Sequence, residues 1–396
     1  MGEARVVLSF ARDEKYCRHS EGDFIRMRDG GILLIYTRFK GKKAGDSAPA
    51  DLVKRVSYDD GETWSDPEEV VTATSYGVQN VMSVSLIRLK DGDIGMIFIS
   101  LNVPGYLNQI HFMRSSDEGK TFRHISLCTP REFTGRFGVN NARLVRLSSG
   151  RIVFPLSIHP GEAKSKCTDS NGRRDAGYFS MSDELGYIVW SRSPHLEGRR
   201  TSRQTLGAFM YSDDEGYTWQ RSSDIVCPPF TSTIKGLQEG ELIEIRPGVL
   251  KCFWRTDRMN QYEAVSFDGA DHWTTPQMSC FTAPWSPITI ERNPFSGKIY
   301  AIWNPVPQYN GKDQISGLKD RTPFAIAQTN DDVSSFGDIH LIEDDPDHAY
   351  SYAATLFLSE TELLLSYTAG GTEDRHGHSR MNISKIKIPE YNTEVV

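Results

Sequence analysis

The sequence lacks long apolar runs and an excess of positive charge. No stretch approaches the roughly 18 consecutive apolar residues of a membrane-spanning helix, so we expect no membrane partner. The formal net charge of −7 argues against a nucleic-acid partner, because phosphate binding requires a basic surface. The same acidic balance makes any local group of arginines more informative.

Cysteine is scarce, and its spacing does not fit the common metal sites. The six cysteines form no C-x-x-C pair and no zinc-like spacing, and nothing else in the sequence indicates a metal or an organic cofactor. Scattered cysteines slightly favour a reducing compartment. No apolar signal-peptide core follows the first five residues, so we expect a cytoplasmic location, or a secreted or periplasmic one if a leader has been removed.

An eight-residue motif, S-x-D-x-G-x-T-W, recurs along the chain. Complete copies span residues 57–64 and 212–219, the copy at 115–122 ends in Phe, and two degenerate copies begin at Ser266 and Thr329. The Asp and Gly favour a tight turn, and the closing aromatic residue can pin that turn onto its own sheet. A calcium loop would need more ligands than eight residues supply. We interpret the motif as a structural turn.

The spacing of the motif predicts the architecture. Successive copies lie 58, 97, 54 and 63 residues apart, and 50 to 60 residues is about the length of one four-stranded propeller blade. Six hairpin-like breaks between apolar segments give the same periodicity. We therefore predict an all-β, six-bladed β-propeller of four-stranded antiparallel blades, with residues 1–396 as one domain. The long gap predicts an insertion in the third blade at about 161–203, and residues 5–10 can complete the last blade.

The inner strand of each blade is expected to start near the mouth of the central channel. Counting about ten residues back from each hairpin locates six short groups at these starts. Nearly all contain polar or ionisable residues, and polar groups that converge on one axis form a small-ligand site. The groups begin at His19, Gln79, Asn140, Gln238, Trp285 and His348.

With these features the chain resembles the sialidase (neuraminidase) superfamily, whose members are six-bladed propellers with repeated Asp-boxes. Bacterial sialidases carry a glutamate that enters an apolar strand, with an arginine 16 residues later, and Glu239 and Arg255 have this spacing. The family's tyrosine opens the last blade, where Tyr350 stands. Its third arginine precedes the fifth box, where Arg321 stands. Its acid/base aspartate precedes the first box, where Asp46 stands, with Asp51 as the alternative.

One family element is missing at its expected place. The first-blade arginine of the family falls on Ser20 when counted from the first hairpin. Arg18, Arg26, Arg136 and Arg143 are the candidate replacements. The predicted substrate-binding set is Arg255, Arg321, Arg38, Arg136, Asn141 and Arg143.

The resemblance implies a retaining exo-glycosidase with a carbohydrate partner. A neutral tyrosine suits a sugar whose anomeric carbon bears a carboxylate, because a charged nucleophile would be repelled. Tyr350 is then the nucleophile, Glu239 its base and Asp46 the acid/base, while the arginine forks bind the carboxylate. Two alternatives remain open: an enzyme for another ulosonic or uronic acid, and a glycan-binding propeller without catalysis. The sequence indicates no oligomeric state.

Overall fold

Short strands joined by tight turns make up nearly all of the described chain. The computed structural model describes residues 4–101, 108–129, 136–159, 177–182, 187–192, 204–229, 233, 235–305, 321–374 and 376–390, without the side chains of residues 136, 177–182 and 187–192. Within these ranges the single helix is a 3-10 turn, Ala73–Tyr76. No described helix has the length and apolarity to cross a bilayer.

The strands group into six units, which we call blades 1 to 6 in chain order. Blade 1 comprises β2 (Tyr16–Arg26), β3 (Ile32–Lys40), β4 (Ala50–Ser57) and β5 (Glu68–Val71). Blade 2 comprises β6 (Asn80–Arg88), β7 (Ile94–Leu101), β8 (Asn108–Ser115) and β9 (Arg123–Leu127). In blade 3, β10 (Arg136–Gly138) and β11 (Val145–Arg146) both pair with β12 (Ile152–His159), followed by β15 (Leu206–Ser212) and β16 (Gln220–Arg221).

Blades 4 to 6 complete the order. Blade 4 comprises β17 (Gln238–Arg246), β18 (Val249–Arg255), β19 (Asn260–Ser266) and β20 (Gln277–Thr282). Blade 5 comprises β21 (Thr289–Arg292), β22 (Ile299–Trp303), β23 (Phe324–Thr329) and β24 (His340–Glu343). Blade 6 comprises β25 (His348–Phe357), β26 (Glu362–Gly371), β27 (Met381–Lys387) and β1 (Ala4–Phe10).

Hydrogen bonding within the blades is antiparallel, and the predicted all-β propeller class is confirmed. Blades 3 to 6 are separate sheets, whereas blades 1 and 2 join into one eight-stranded sheet through a single parallel bridge between Ala50 and Asn80. β1 pairs with β27 at the outer edge of blade 6, so the start of the chain completes the last blade, as the sequence predicted. This pairing covers an edge that would otherwise expose unpaired backbone groups.

The predicted third-blade insertion at 161–203 lies mostly outside the described residues. Its described part is a two-stranded antiparallel hairpin of its own, β13 (Gly177–Ser182) and β14 (Tyr187–Arg192).

The hydrophobic core is divided among the interfaces between neighbouring blades. One cluster joins blades 1 and 2 around Phe98, a second joins blades 2 and 3 around Phe154, and a third joins blades 3 and 4 around Trp254. Further clusters join blades 4 and 5, blades 5 and 6, and blades 6 and 1. Each blade therefore buries both faces, and the ring positions the strand ends around one axis.

The recurring motif closes the end of the ring opposite the predicted site. In the first copy the Asp59 carboxylate accepts hydrogen bonds from the N–H and hydroxyl of Thr63, and the Trp64 indole donates to the Gly61 carbonyl at 3.0 Å. The copies at Asp117 and Asp214 repeat the carboxylate contacts. The motif is a turn that satisfies its own polar groups.

Candidate active site

The inner strands of blades 1, 2, 4 and 6 share one irregularity near the channel mouth. In each strand two consecutive residues face one residue of the next strand, which is a β-bulge. The first bulge residue has a positive φ in every case: Glu21 (57°), Ser83 (58°), Glu239 (48°) and Tyr352 (59°). The residues opposite the bulges are aromatic: Tyr36, Phe98, Trp254 and Tyr367.

These bulges are strained, and their strain has a consequence for side-chain direction. A non-glycine residue in the left-handed region costs about 1–2 kcal/mol, and such strain is concentrated at functional sites. The second bulge residue is small where space is tightest, since a Cβ on Gly22 would lie 2.9 Å from Cβ of Tyr36. Each bulge breaks the strict in-and-out alternation of its strand, so simple counting along the strand misplaces the side chains at the mouth.

Glu239, Tyr352 and Arg255 form the centre of the site. The Tyr352 hydroxyl donates to Oε1 of Glu239 at 3.1 Å, and Nη1 of Arg255 donates to the Tyr352 oxygen at 3.2 Å. The same Nη1 donates to Oε2 of Glu239. Arg255 is buried, whereas Glu239 and Tyr352 are partly exposed, so the glutamate–tyrosine pair faces the mouth on a buried cationic support.

The electrostatics of this trio keep the tyrosine protonated and the glutamate ionised at rest. Burial raises the pKa of Tyr352 and the Glu239 charge raises it further, while Arg255 and Arg321 oppose the rise, so the phenol is neutral at rest. Burial alone would raise the pKa of Glu239, but Arg255 overrides it and holds this pKa below its usual value. Glu239 is therefore an ionised acceptor beside a neutral phenol.

The structure places Tyr350 away from Glu239. Tyr350 lies two residues before Tyr352, and its ring packs in the core between blades 5 and 6, stacked on Phe324 with 6.3 Å between ring centroids. Burial raises the pKa of Tyr350 far above its usual range. The expected contact between Tyr350 and Glu239 is wrong because the bulge at Tyr352 and Ala353 shifts the side-chain alternation at the start of β25.

Arg321 approaches the tyrosine from blade 5. Its guanidinium carbon lies 5.4 Å from the centroid of the Tyr352 ring, and Nη1 donates to the Ser351 hydroxyl at 2.8 Å. Nη1 also lies 3.4 Å from Nε2 of His378, whose ring meets Tyr352 edge-on at 5.3 Å. Burial, followed by the nearby Arg321 and Arg18 charges, lowers the pKa of His378 well below its usual value, so this histidine is neutral.

Arg18 brings an arginine to the mouth from blade 1, two residues before the expected position at Ser20. β2 extends back to Tyr16, and the Arg18 guanidinium donates to Asp46 at 2.7 Å, to Glu21, and to the Ser20 hydroxyl at 2.8 Å. Arg18 is fully buried, with its guanidinium carbon 4.4 Å from the centroid of the Phe39 ring. The Arg18 charge acts to lower the pKa values of His378 and of Glu21, which places Arg18 at the same mouth.

The two candidate aspartates differ in environment. Asp46 is exposed at the rim, where Arg18 fixes its carboxylate. Asp51 is buried in β4, where it accepts from the Ala73 N–H at 2.9 Å and pairs with Lys40. The structure thus gives Asp51 a structural environment and leaves Asp46 as the aspartate at the mouth.

Of the remaining predicted binding residues, Arg38 makes no described contact with the Tyr352 group, and Asn141 meets that group through the main chain. Arg38 stacks over Tyr16 at 4.1 Å and pairs with Glu69. Asn141 is fully buried and donates to the Gly22 carbonyl at 2.8 Å and to the Tyr352 carbonyl at 3.4 Å, tying blade 3 to the bulges of blades 1 and 6. The side chain of Arg136 lies outside the described part of the chain.

Arg143 belongs to a separate, deeper group of charges in the channel. It pairs with Glu241 and donates to the Ile288 carbonyl at 3.0 Å. Burial raises the pKa of Asp23 to about 8, that of Glu241 to about 8 and that of Glu291 to about 7, with Arg143 opposing each rise. This group, from blades 1, 3, 4 and 5, supports the mouth from below.

Sequence counting missed Tyr352 and His378, and it gave Arg18 only as one of four candidate replacements. A small residue after a polar one at three of the four bulges, Glu21-Gly22, Glu239-Gly240 and Tyr352-Ala353, is the sequence signal that could have indicated them. Among the described residues one carboxylate–histidine group has metal-like spacing, Asp268 with Asp271 and His272, but it is the turn of the fourth box.

A family model described as a BNR repeat-like domain matches residues 96–365. No curated protein sequence matches the chain. A Dyadobacter fermentans protein of unknown function has a similar structure, with a TM-score of 0.67 and 18% identity over 98% of this chain and 99% of that one. The Hadza microbial sialidase Hz136 has a TM-score of 0.65 and 14% identity, over 97% of this chain and 68% of that one. A mutant of the NanB sialidase of Streptococcus pneumoniae has a TM-score of 0.62 and 13% identity, over 98% of this chain and 71% of that one. At these sequence identities the similarity concerns the fold alone.

Proposed function

Since the chain belongs to the family of BNR repeat-like domains and has the propeller fold found in sialidases, we propose that it is a retaining glycoside hydrolase of sialidase type. Its substrate in this proposal is a sialic acid or a related acidic sugar. The hydrogen bond from Tyr352 to Glu239, with Arg255 bonded to both, is the observation that carries the proposal. A binding module without catalysis has no need of a phenol poised on an ionised carboxylate.

The two chemical steps follow from the positions of the groups. Tyr352 gives its proton to Glu239 and forms a bond to the anomeric carbon, while the glycosidic bond breaks and Asp46 protonates the leaving oxygen. In the second step Asp46 takes a proton from water, the water oxygen displaces Tyr352, and the phenolate recovers its proton from Glu239. Nη1 of Arg255 stabilises the developing phenolate, because it already donates to that oxygen.

Arg255 and Arg321 are the proposed carboxylate-binding residues. Both guanidinium groups are buried beside Tyr352, and their Nε atoms have no hydrogen-bond partner among the described residues. Unpaired buried donors are costly, and a bound carboxylate would satisfy them. An acidic sugar therefore fits the site better than a neutral one.

A second candidate function is hydrolysis of a different acidic glycan, such as another ulosonic or a uronic acid. The observation in its favour is the buried pair of Arg18 with Glu21, because this pair withholds part of the first-blade arginine from the substrate. The same nucleophile and base serve either substrate.

Hydrolysis of a fluorogenic sialoside by three proteins tests the proposal. Tyr352→Phe removes the nucleophile and is expected to lower kcat on the order of 10³-fold. Tyr350→Phe is the matched control two residues away, and its kcat is expected to stay within about twofold of wild type, because its ring packs in the core. A sialosyl fluoride with a second fluorine at C3, which slows release, is expected to label the peptide containing Tyr352.

The results separate the candidate functions. Equal turnover by wild type and Tyr352→Phe would remove Tyr352 from the mechanism. Absence of wild-type turnover on the sialoside, with turnover on another acidic glycoside from a panel of ulosonides and uronides, would replace sialic acid by that sugar. Absence of turnover on the whole panel would contradict the enzyme proposal.

A further inference from the structure

Arg18 makes more described hydrogen bonds to the protein than Arg255 or Arg321, the other two arginines at the mouth. Its Nε donates to Ser20, Nη1 donates to the Ala44 carbonyl at 3.3 Å and to Asp46, and Nη2 donates to Glu21. One Nη2 N–H is left without a described partner. A substrate carboxylate that approached Arg18 would therefore compete with a protein carboxylate.

Glu21 is the protein carboxylate in that competition. It occupies the strained first position of the blade 1 bulge, the position that holds Glu239 in blade 4 and Tyr352 in blade 6. Its Oε1 accepts from Arg18, and its Oε2 accepts from the Ser83 hydroxyl, the bulge residue of blade 2, at 2.9 Å. The residue is buried, with 4% of its side chain exposed, so its charge depends on Arg18 for compensation.

The charges facing Glu21 come from every element around it. Arg18 lies on its own strand, Asp46 on the β3–β4 loop, Glu239 on β17 and Tyr352 on β25, while Ser83 on β6 is uncharged. Burial raises the pKa of Glu21 to about 7; Arg18 opposes this, and Asp46 and Glu239 add to it. When Glu21 is ionised, it offsets the charge of its partner Arg18. A proton on Glu21 removes that offset and makes the net charge of the mouth more positive by one.

We propose that Glu21 is a specificity-determining residue that competes with the substrate carboxylate for Arg18. The inference deepens the proposed function, since it takes Arg255 and Arg321 as the start of the carboxylate site. When an acidic sugar binds, Glu21 takes up a proton and releases Nη2 of Arg18, which then becomes the third arginine on the carboxylate. A sugar without the carboxylate gains nothing from this exchange.

Calorimetry with a non-hydrolysable 2,3-dehydro sialic acid and its methyl ester tests the exchange. For wild type we expect the affinity for the acid to fall by about tenfold per pH unit above the Glu21 pKa, with uptake of nearly one proton in buffers of different ionisation enthalpy. Glu21→Gln is expected to bind the acid without this pH dependence and without proton uptake. The methyl ester is expected to bind independently of pH.

Two further variants and one spectroscopic measurement separate the possible failures. Ser83→Ala removes a hydrogen bond that favours the ionised Glu21, so the pH midpoint is expected to rise. Glu69→Gln removes an exposed partner of Arg38 and serves as the control without effect. The infrared difference between wild type and Glu21→Gln is expected to show a carboxylic C=O band that disappears near neutral pH, without any ligand.

Each outcome has a defined meaning. A missing titrating band, or binding of the acid by wild type without proton uptake, would overturn the role of Glu21 and leave the proposed function standing. Retention of the wild-type pH dependence by Glu21→Gln would also overturn it. Failure of wild type to bind either sugar would contradict sialic acid as the ligand, and the infrared band alone would then decide whether Glu21 exchanges a proton.

Discussion

The two ends of the propeller differ in the pKa values of their carboxyl groups and in the residues that carry backbone strain. At the end closed by the Asp-boxes, the carboxylates of Asp59, Asp117 and Glu118 accept several hydrogen bonds, and their pKa values lie at about 2. At the channel mouth and just below it, burial raises the pKa values of Glu21, Asp23 and Glu241 to between about 7 and about 8. These carboxyl groups of the Asp-box end stay ionised at neutral pH, whereas Glu21, Asp23 and Glu241 hold a proton to higher pH than an exposed carboxyl group does.

Backbone strain is distributed differently at the two ends. At the Asp-box end a positive φ at an acidic residue, such as Asp60 or Glu215, is followed directly by a glycine that also has a positive φ. At the mouth Glu21, Glu239 and Tyr352 have a positive φ without such a glycine after them, and the left-handed region is unfavourable for these residues. The mouth therefore accepts a stability cost where the proposed chemistry lies, and the tight packing between blades offsets it.

The largest expected effect tests whether the Asp-box end supplies that packing. Gly216 lies where the third blade packs closely against the second, since a Cβ there would lie 2.1 Å from the Phe112 ring. Gly216→Ala is expected to lower the free energy of unfolding by about 3 kcal/mol or more, from overlap and a positive φ together. Urea denaturation measures this change.

Gly248→Ala is the matched control for that substitution. Gly248 has a similar φ of 78°, but no atom lies within 4 Å of an added Cβ. Its expected cost is about 1 kcal/mol, from the backbone alone. Equal losses in the two variants would show that contact between blades contributes nothing beyond the turn conformation.

The next effect concerns stability between mildly acidic and neutral pH. The pKa of Glu291 is raised to about 7 by burial, so the folded state retains a proton that the unfolded chain releases near its ordinary value. The free energy of unfolding is then largest below that ordinary pKa, declines as the pH rises through about 7 and levels off above it. Glu291→Gln is expected to reduce the loss between pH 6 and 8.5 by about 1.4 kcal/mol. A decline as steep as that of wild type would contradict the buried, protonated glutamate.

A carboxylate at the Asp-box end is expected to affect the free energy of unfolding at acid pH. Glu118 accepts from the Arg28 N–H at 2.9 Å and pairs with Arg88, which ties blade 2 to blade 1. Its pKa is lowered to about 2 by these bonds, against an opposing effect of burial, so its contribution is present above pH 4.5 and lost as the pH falls toward 2. Glu118→Gln is expected to cost about 1 kcal/mol at pH 7, since the pair is partly solvated, and to flatten the acid limb. An unchanged acid limb would locate the acid sensitivity elsewhere.

The same contrast explains what the sequence could predict. The spacing of the Asp-boxes was enough to predict the propeller fold, because each box is a local turn whose residues contact one another. The pairing of Glu239 with Arg255 was also predictable, because residue 238 lies opposite residue 255 in the ladder and one bulge does not disturb that spacing. The sequence predicted Tyr350 because it opens the last blade, and counting residues along the strand does not register the bulge at Tyr352 and Ala353.

Arg18 illustrates the other limit of sequence reasoning. Counting from the first hairpin ended at Ser20, two residues after Arg18, and the one extra residue of the Glu21 bulge accounts for only one of these two positions. The contact between Arg18 and Asp46 joins a strand to a loop 28 residues later, and its partner Glu21 is bonded to blade 2. Such relations depend on the closure of the ring and not on spacing within one blade.

The smallest effect is expected at the fourth Asp-box, where His272 replaces the usual threonine. Its Nδ1 lies 2.7 Å from Oδ2 of Asp268, the contact that the Thr218 hydroxyl makes with Asp214 at 2.6 Å in the third box. The bond to Asp268 raises the pKa of His272, so any contribution is complete below the pKa of an unfolded histidine and is lost as the pH rises through the folded value. His272→Thr is therefore expected to leave the melting temperature at pH 5 almost unchanged and to remove a slight decline between pH 6 and 8. Because both groups are exposed and screened, a loss in this variant as large as that of Gly216→Ala would contradict the view that each box is satisfied by its own turn.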